Sequence, residues 1–107
     1  MGRIVIVLYR PKNGKEKELL EVVKEHVPIL RSEKLATERK AIVGRTADGT
    51  IVEIFEWTSP DAIRQAHSNK VVGKLWERFG EACEFEVPIN VKEFQSVFSE
   101  FEPIDVD

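Results

Sequence analysis

The run RIVIVLY at residues 3–9 constrains the fold most strongly, because it is apolar and β-branched almost throughout. A strand that is apolar at successive positions must be buried on both faces, so the run predicts a central strand of a sheet. It is far shorter than the roughly 20 apolar residues that span a bilayer. It also lacks the small-residue cleavage site of a secretory signal, so we expect a cytoplasmic protein without membrane association.

The elements that follow predict the order β-α-β-β-α-β within one domain, residues 1–107. Apolar residues recur with helical spacing over residues 15–33, where Pro28 should bend the first helix because it removes a backbone donor. Two apolar, β-branched runs at residues 39–46 and 50–57 predict a pair of strands.

A second helix is indicated by Ser-Pro-Asp at residues 59–61, which combines an N-cap with proline at the first helical position. We expect this helix to pause at residues 68–69 and to resume along an apolar face that includes Cys83. As the only cysteine, Cys83 forms no intrachain disulfide, and we expect a buried, unreactive thiol. The alternating run at residues 96–104 predicts the last strand, after a loop.

This order of elements predicts the ferredoxin-like α+β fold, with two helices on one face of a four-stranded antiparallel sheet of order 4-1-3-2. The hairpin strands carry apolar residues on both sides, so one apolar face is left without helices. Such a face predicts a partner surface. The economical partner is a second copy, so that two sheets pair as a dimeric α+β barrel.

The hairpin register follows from Asp-Gly at residues 48–49, the dipeptide typical of a two-residue turn. With such a turn, Ala47 pairs with Thr50, and Ile42 lies opposite Phe55.

Residues 55–79, FEWTSPDAIRQAHSNKVVGKLWERF, resemble the antibiotic-biosynthesis-monooxygenase-like branch of the dimeric α+β barrel superfamily. The resemblance lies in a third strand that ends in Glu-Trp, a Ser-Pro-Asp cap, a helix that reaches Ala66-His67, and an apolar helix after it. Members of this superfamily pair through their sheets. Some oxidise aromatic polyketides without metal or cofactor, and others degrade haem, isomerise small metabolites or have no known activity.

The haem-degrading members share an Asn on the first strand, with a Trp and a His on the second helix. Here the first strand has no Asn. His67 and Trp76 both lie on the second helix, but in the order opposite to that of the haem-degrading members, so haem oxygenation is not expected. No glycine-rich phosphate loop occurs, and the two histidines are too far apart for a zinc motif. We therefore expect neither a cofactor nor a metal. The net charge of −3 and the lack of a basic block also disfavour nucleic acid.

Two residues are the candidate catalytic groups, His67 and Glu53. An imidazole titrates near neutral pH, so His67 is a candidate base or polar anchor, although at a helix end it could simply bond a nearby carbonyl. Glu53 lies among apolar neighbours and is a candidate acid or base. Its alternative is an ion pair with Arg3 on the adjacent strand.

The candidate substrate-binding residues are Tyr9, Phe55, Trp57 and Trp76, whose rings suit an aromatic ligand or, equally, a packed core. His26 falls on the apolar face of the first helix, where a histidine is usually a satisfied structural residue.

Two functions remain open. One is a homodimer that binds a small aromatic or quinone-like metabolite, as a cofactor-independent monooxygenase or isomerase. The other is a non-enzymatic, stress-associated or accessory dimer with a packed interior. A pocket of about 300 Å³ or more, with His67 or Glu53 at its wall, would favour the enzyme.

Overall fold

A five-stranded antiparallel sheet with helices packed against it forms the α+β fold of this chain. The computed structural model describes residues 1–106. In chain order the elements are β1 (Arg3–Pro11), α1 (Glu16–Ser32), β2 (Ile42–Arg45), β3 (Ile51–Trp57), α2 (Pro60–Ala66), α3 (Lys70–Ala82), β4 (Cys83–Glu86) and β5 (Glu102–Ile104). The strand order across the sheet is β4-β1-β3-β2-β5. Among these helices, none is both long enough and apolar enough to cross a membrane.

The helices match their sequence patterns closely. Helix α1 continues through Pro28 to Ser32, as the helical spacing predicts. Ser59 caps α2 by accepting from the backbone N–H of Ala62, and Asn69 caps α3 by accepting from that of Val72. The Asn69 cap accounts for the restart of the helix after the pause, because it satisfies a backbone donor that a helix start leaves open.

The prediction of four strands is wrong, because the chain forms a short strand that the sequence pattern hides. Residues 83–86 leave the helical conformation at Cys83 and pair with β1 as β4. The predicted last strand, residues 96–104, is strand only at Glu102–Ile104, where it pairs with β2 at the opposite edge. Ala82 and Cys83 are both buried, and adjacent apolar residues suit a helix end as well as a strand start.

The predicted hairpin register is also wrong by one residue. The N–H of Thr46 donates to the carbonyl of Thr50, and Ile42 lies opposite Ile54 instead of Phe55. The turn therefore contains Ala47, Asp48 and Gly49, with Gly49 in the left-handed region at φ +91°. This is the three-residue alternative to the two-residue turn, and it too requires glycine at its last position.

Asp48 stabilises this turn through its side chain. Its carboxylate accepts from the Thr46 hydroxyl at 2.7 Å and from the Thr50 hydroxyl at 2.8 Å. These hydrogen bonds lower the pKa of Asp48 to about 2, because they favour the charged form.

The register divides the apolar residues between two faces of the sheet. The inner face carries Tyr9, Ile51, Phe55 and Trp57, which pack against the three helices. On the outer face, Leu8 and Val52 are covered by Val91 from the segment that connects β4 to β5.

The rest of the outer face is open. Ile4, Ile6 and Ile42 expose 60, 48 and 58 % of their surface. Ile6 and Ile42 both lie opposite Ile54, so these side chains form one patch across β1, β3 and β2. We call Ile4, Ile6, Ile42 and Ile54 the isoleucine patch.

Candidate functional site

A buried carboxylate with two hydrogen-bond partners lies beneath the helices. Glu53 on β3 is only 1 % exposed. Its Oε1 accepts from the hydroxyl of Tyr9 at 2.6 Å and lies 2.7 Å from Nδ1 of His26. A buried carboxylate is costly unless it is bonded, so these two contacts hold the charge in place. We call Tyr9, His26 and Glu53 the buried triad.

Three elements bring the buried triad together. In the β1–β3 register Val7 lies opposite Glu53, which makes Tyr9 the diagonal neighbour of Glu53 on the same face. His26 comes from the buried side of α1, which packs on that face. Arg3 lies opposite Trp57, four positions along β1 from Val7, so the alternative ion pair between Arg3 and Glu53 does not form.

Aromatic rings fix the orientation of the triad. The Tyr9 ring stacks on Phe79 with centroids 4.7 Å apart. The His26 ring meets Phe55 and Phe79 edge to face, at 5.2 and 4.9 Å. With its ring held on two sides, His26 has little freedom to rotate away from Glu53.

The electrostatics of the triad favour a protonated tyrosine. Burial, together with the charge and the hydrogen bond of Glu53, raises the pKa of Tyr9 well above its usual value. Tyr9 therefore stays a donor over the physiological range. A carboxylate only accepts, so opposite a carboxylate the hydrogen lies on Nδ1 of the imidazole, and Nε2 of the neutral ring is then an acceptor.

Two atoms of the triad have no hydrogen-bond partner. Within residues 1–106, Nε2 of His26 and Oε2 of Glu53 are both buried and unpaired. Buried polar atoms are nearly always paired, so each exception calls for an explanation.

An apolar cavity of about 380 Å³ lies between the sheet and the helices, next to the triad. Its lining includes the two triad members Tyr9 and His26. The other lining residues are aliphatic or aromatic, and only the two tryptophans carry a polar atom, the indole N–H: Val5, Val7, Phe55, Trp57, Ile63, Trp76, Phe79 and Phe85. A cavity of this size can hold a small ring compound, and it offers few polar groups.

The predicted binding residues are all in this cavity wall, but the predicted catalytic residues are not. Tyr9, Phe55, Trp57 and Trp76 line the cavity. Glu53 and His67 are not among the lining residues. Glu53 lies behind the wall, where it bonds the two lining residues Tyr9 and His26.

His67 is exposed to solvent at the C-terminal end of α2. Its ring contacts Trp76 with centroids 5.1 Å apart, so it touches a wall residue without reaching the cavity. Glu53 and His67 therefore do not share one cavity.

His26 is the triad member that sequence reasoning assigned to structure alone. Its place on the apolar face of α1 was visible, and it is 3 % exposed. The sequence could not show that Glu53 lies within hydrogen-bond distance, because the two residues come from different layers of the fold. A histidine on a buried helix face together with a glutamate on a buried strand was the available signal.

Neither a reactive cysteine nor a cluster of metal-binding side chains accompanies this site in residues 1–106. Burial raises the pKa of Cys83 to about 11, which disfavours the reactive thiolate. Among residues 1–106, no three His, Cys, Asp or Glu side chains are grouped in a way that could hold a metal ion.

Comparisons with protein family models, with curated protein sequences and with solved structures find no match to this chain.

Proposed function

We propose that this chain forms a homodimer in which each subunit binds a small, partly aromatic molecule in the apolar cavity. We further propose that it acts on this molecule as a cofactor-independent monooxygenase or an isomerase. One observation carries the proposal: an apolar cavity of about 380 Å³ has a histidine and a tyrosine in its wall, both bonded to one buried glutamate.

The two reactions share a first step that the cavity suits. Each begins when a base removes a weakly acidic proton from the substrate. In an isomerase the proton returns to another atom of the substrate. In a cofactor-independent monooxygenase the substrate anion gives its electrons to molecular oxygen. An apolar cavity with one oriented base supports either course, because few other polar groups compete for the substrate.

The isoleucine patch supports the homodimer. Isolated exposed apolar residues are ordinary, but a row of isoleucines across three strands is a patch that a partner would cover. A second copy meets it with the same patch, as twofold pairing requires. The resemblance of residues 55–79 to the dimeric α+β barrel superfamily, whose members have a ferredoxin-like sheet, favours the same arrangement.

The cavity favours the enzyme over a non-enzymatic dimer with a packed interior. Its volume exceeds the 300 Å³ or so that a small ligand needs. The titratable side chains in its wall are Tyr9 and His26 instead of the expected His67 and Glu53, so the proposed chemistry moves to the buried triad.

A ligand screen with a cavity-blocking variant tests the binding claim. We expect small phenols, quinones or aldehydes to raise the melting temperature of the wild-type protein, since a ligand that binds only the folded state stabilises it. Ile63→Trp should abolish this shift because Ile63 lines the cavity. Val71→Trp is the matched control, since Val71 is 46 % exposed on α3. Ligand shifts that survive Ile63→Trp, or the absence of any shift in the wild type, would contradict the proposal.

A further inference from the structure

The orientation of His26 defines which of its atoms can meet a ligand. Nδ1 is engaged by Glu53, and the ring is held by edge-to-face contacts with Phe55 and Phe79. Glu53 lies outside the lining of the apolar cavity, whereas His26 is part of it. The other ring nitrogen, Nε2, is buried and has no hydrogen-bond partner within residues 1–106.

A purely structural role accounts poorly for this arrangement. Buried polar networks that serve stability are normally satisfied at every member, since a partly satisfied network is less stable than an apolar one. Here the hydroxyl of Tyr9 and Nδ1 of His26 are satisfied, while Nε2 of the same ring is not. An imidazole held by a carboxylate at one nitrogen, with the other nitrogen bare, is the arrangement of an oriented general base.

The cavity wall limits the chemistry of the ligand. No lining residue carries a permanent charge, so a charged ligand would lose its hydration without a partner. The hydroxyl of Tyr9 already donates to Glu53 and is not free to bind an acceptor. The remaining polar groups among the lining side chains are the indole N–H donors of Trp57 and Trp76 and the unpaired nitrogen of His26, and this nitrogen needs a donor on the ligand. Six of the lining residues are Tyr, Phe or Trp, and such rings pack favourably on a ligand ring.

Resting on the proposed function, we infer that the substrate is an uncharged aromatic compound with a phenolic hydroxyl, and that His26 takes the proton of that hydroxyl. The O–H bond breaks, its electron pair stays on the oxygen, and Nε2 of His26 gains the proton. Glu53 acts as the positioning residue, because its carboxylate orients the ring and stabilises the imidazolium. The titratable side chains that face His26 are Glu53, by a direct bond, and Tyr9, through Glu53.

Binding of 4-nitrophenol tests this inference, because its anion is coloured and its neutral form is not. An apolar cavity alone would raise the pKa of the bound phenol, since desolvation disfavours the anion. With His26 as the proton acceptor, we expect the ratio of anion to neutral form to be at least about tenfold higher for the bound probe than for the free probe at the same pH. This ratio corresponds to a pKa of the probe that is lower by about one unit.

Four variants separate the roles of the residues. His26→Gln should bind the probe in its neutral form, and His67→Gln, the matched control at the exposed histidine, should keep the anion. Glu53→Gln should bind the probe and lose most of the anion signal, which a merely structural role would not predict. Rescue of the signal in Glu53→Asp would support the positioning role.

Each outcome decides between the claims. A bound but neutral probe in the wild type, or an equal anion fraction in His26→Gln, would overturn the inference and leave the proposed binding function intact. If neither 4-nitrophenol nor other phenols bind, the proposed function fails and the inference fails with it. If His26→Gln does not fold, the wild-type titration still decides, because the apolar cavity and the base shift the pKa of the probe in opposite directions.

Discussion

Replacing Tyr9 with phenylalanine isolates one bond of the buried triad. The substitution keeps the ring that stacks on Phe79 and removes only the hydroxyl that donates to Glu53 at 2.6 Å. A hydrogen bond to a charged group contributes about 1.5–3 kcal/mol to stability, and the lost donor leaves a buried carboxylate with one partner fewer. We therefore expect Tyr9→Phe to lower the free energy of unfolding by about 1.5–3 kcal/mol at pH 7.

The same reasoning predicts how this difference depends on pH. The pKa of Tyr9 is raised in the folded state, so the folded protein holds this proton more tightly than the unfolded chain does. The resulting stability is fully present below the unfolded pKa of 10.0 and is lost as the pH rises from there through the folded pKa. The stability advantage of the wild type over Tyr9→Phe should therefore shrink as the pH rises above 10.

Urea denaturation followed by tryptophan fluorescence measures the difference, at pH 7 and at several values above 10. Because Tyr9 is the only tyrosine, its ionisation can also be followed directly by tyrosinate absorbance. The urea-unfolded protein is the internal control and should titrate near 10. A native Tyr9 that titrates near 10, or a variant as stable as the wild type at pH 7, would refute the reasoning.

Three further predictions concern packing, assembly and reactivity. Gly44→Ala should lower the free energy of unfolding by about 1–3 kcal/mol in urea denaturation, because the added Cβ would collide with the Phe101 ring and lie 2.6 Å from the backbone oxygen of Glu102. Gly73→Ala on α3 meets open space and should not destabilise the protein. Ile6→Lys in the isoleucine patch should convert the proposed dimer to a monomer in light scattering at micromolar concentration, whereas Val71→Lys should not, and a wild-type monomer would contradict the proposal. Cys83, with a pKa of about 11, should resist alkylation at pH 8 until the protein is unfolded, and rapid reaction of the native thiol would contradict its burial.

The parts of the fold that the sequence predicts are those with a strong local signal. A clear hydrophobic pattern together with cap or turn residues marks two strands, Arg3–Pro11 and Ile51–Trp57, and the capped helices α2 and α3. Strand β4 has neither, because Cys83–Glu86 follows a helix directly and gains its conformation from pairing with the free edge of β1. Its assignment to a helix end and a loop shows where tertiary pairing overrides the local pattern.

The hairpin register failed for a related reason. Asp48-Gly49 suits both a two-residue and a three-residue turn, and the choice between them moves every side chain of one strand to the other face. In the structure Ile42 lies opposite Ile54, and not opposite Phe55 as the two-residue turn predicts.

The sequence predicts which types of residue form the candidate site better than it predicts how these residues are arranged in space. Tyr9, Phe55, Trp57 and Trp76 were expected to bind a ligand, and they line one cavity. The sequence favours His67 over His26 because a lone histidine on an apolar helix face is usually structural, yet His67 lies exposed at a helix end. The contact between His26 and Glu53 joins residues 27 positions apart in two layers, and no local pattern encodes such a contact.

Nitrogen-15 NMR of the imidazole rings tests the central claim most directly, which is that Glu53 holds His26 with Nε2 bare and ready to accept a proton. The chain has two histidines, so the His67→Gln variant leaves the signals of His26 alone. In the neutral ring of the free protein we expect Nδ1 of His26 to carry the hydrogen and Nε2 to be unprotonated. Addition of 4-nitrophenol should shift the Nε2 signal to that of a protonated nitrogen. A free protein with the hydrogen on Nε2, or an Nε2 signal that bound 4-nitrophenol leaves unchanged, would contradict the account.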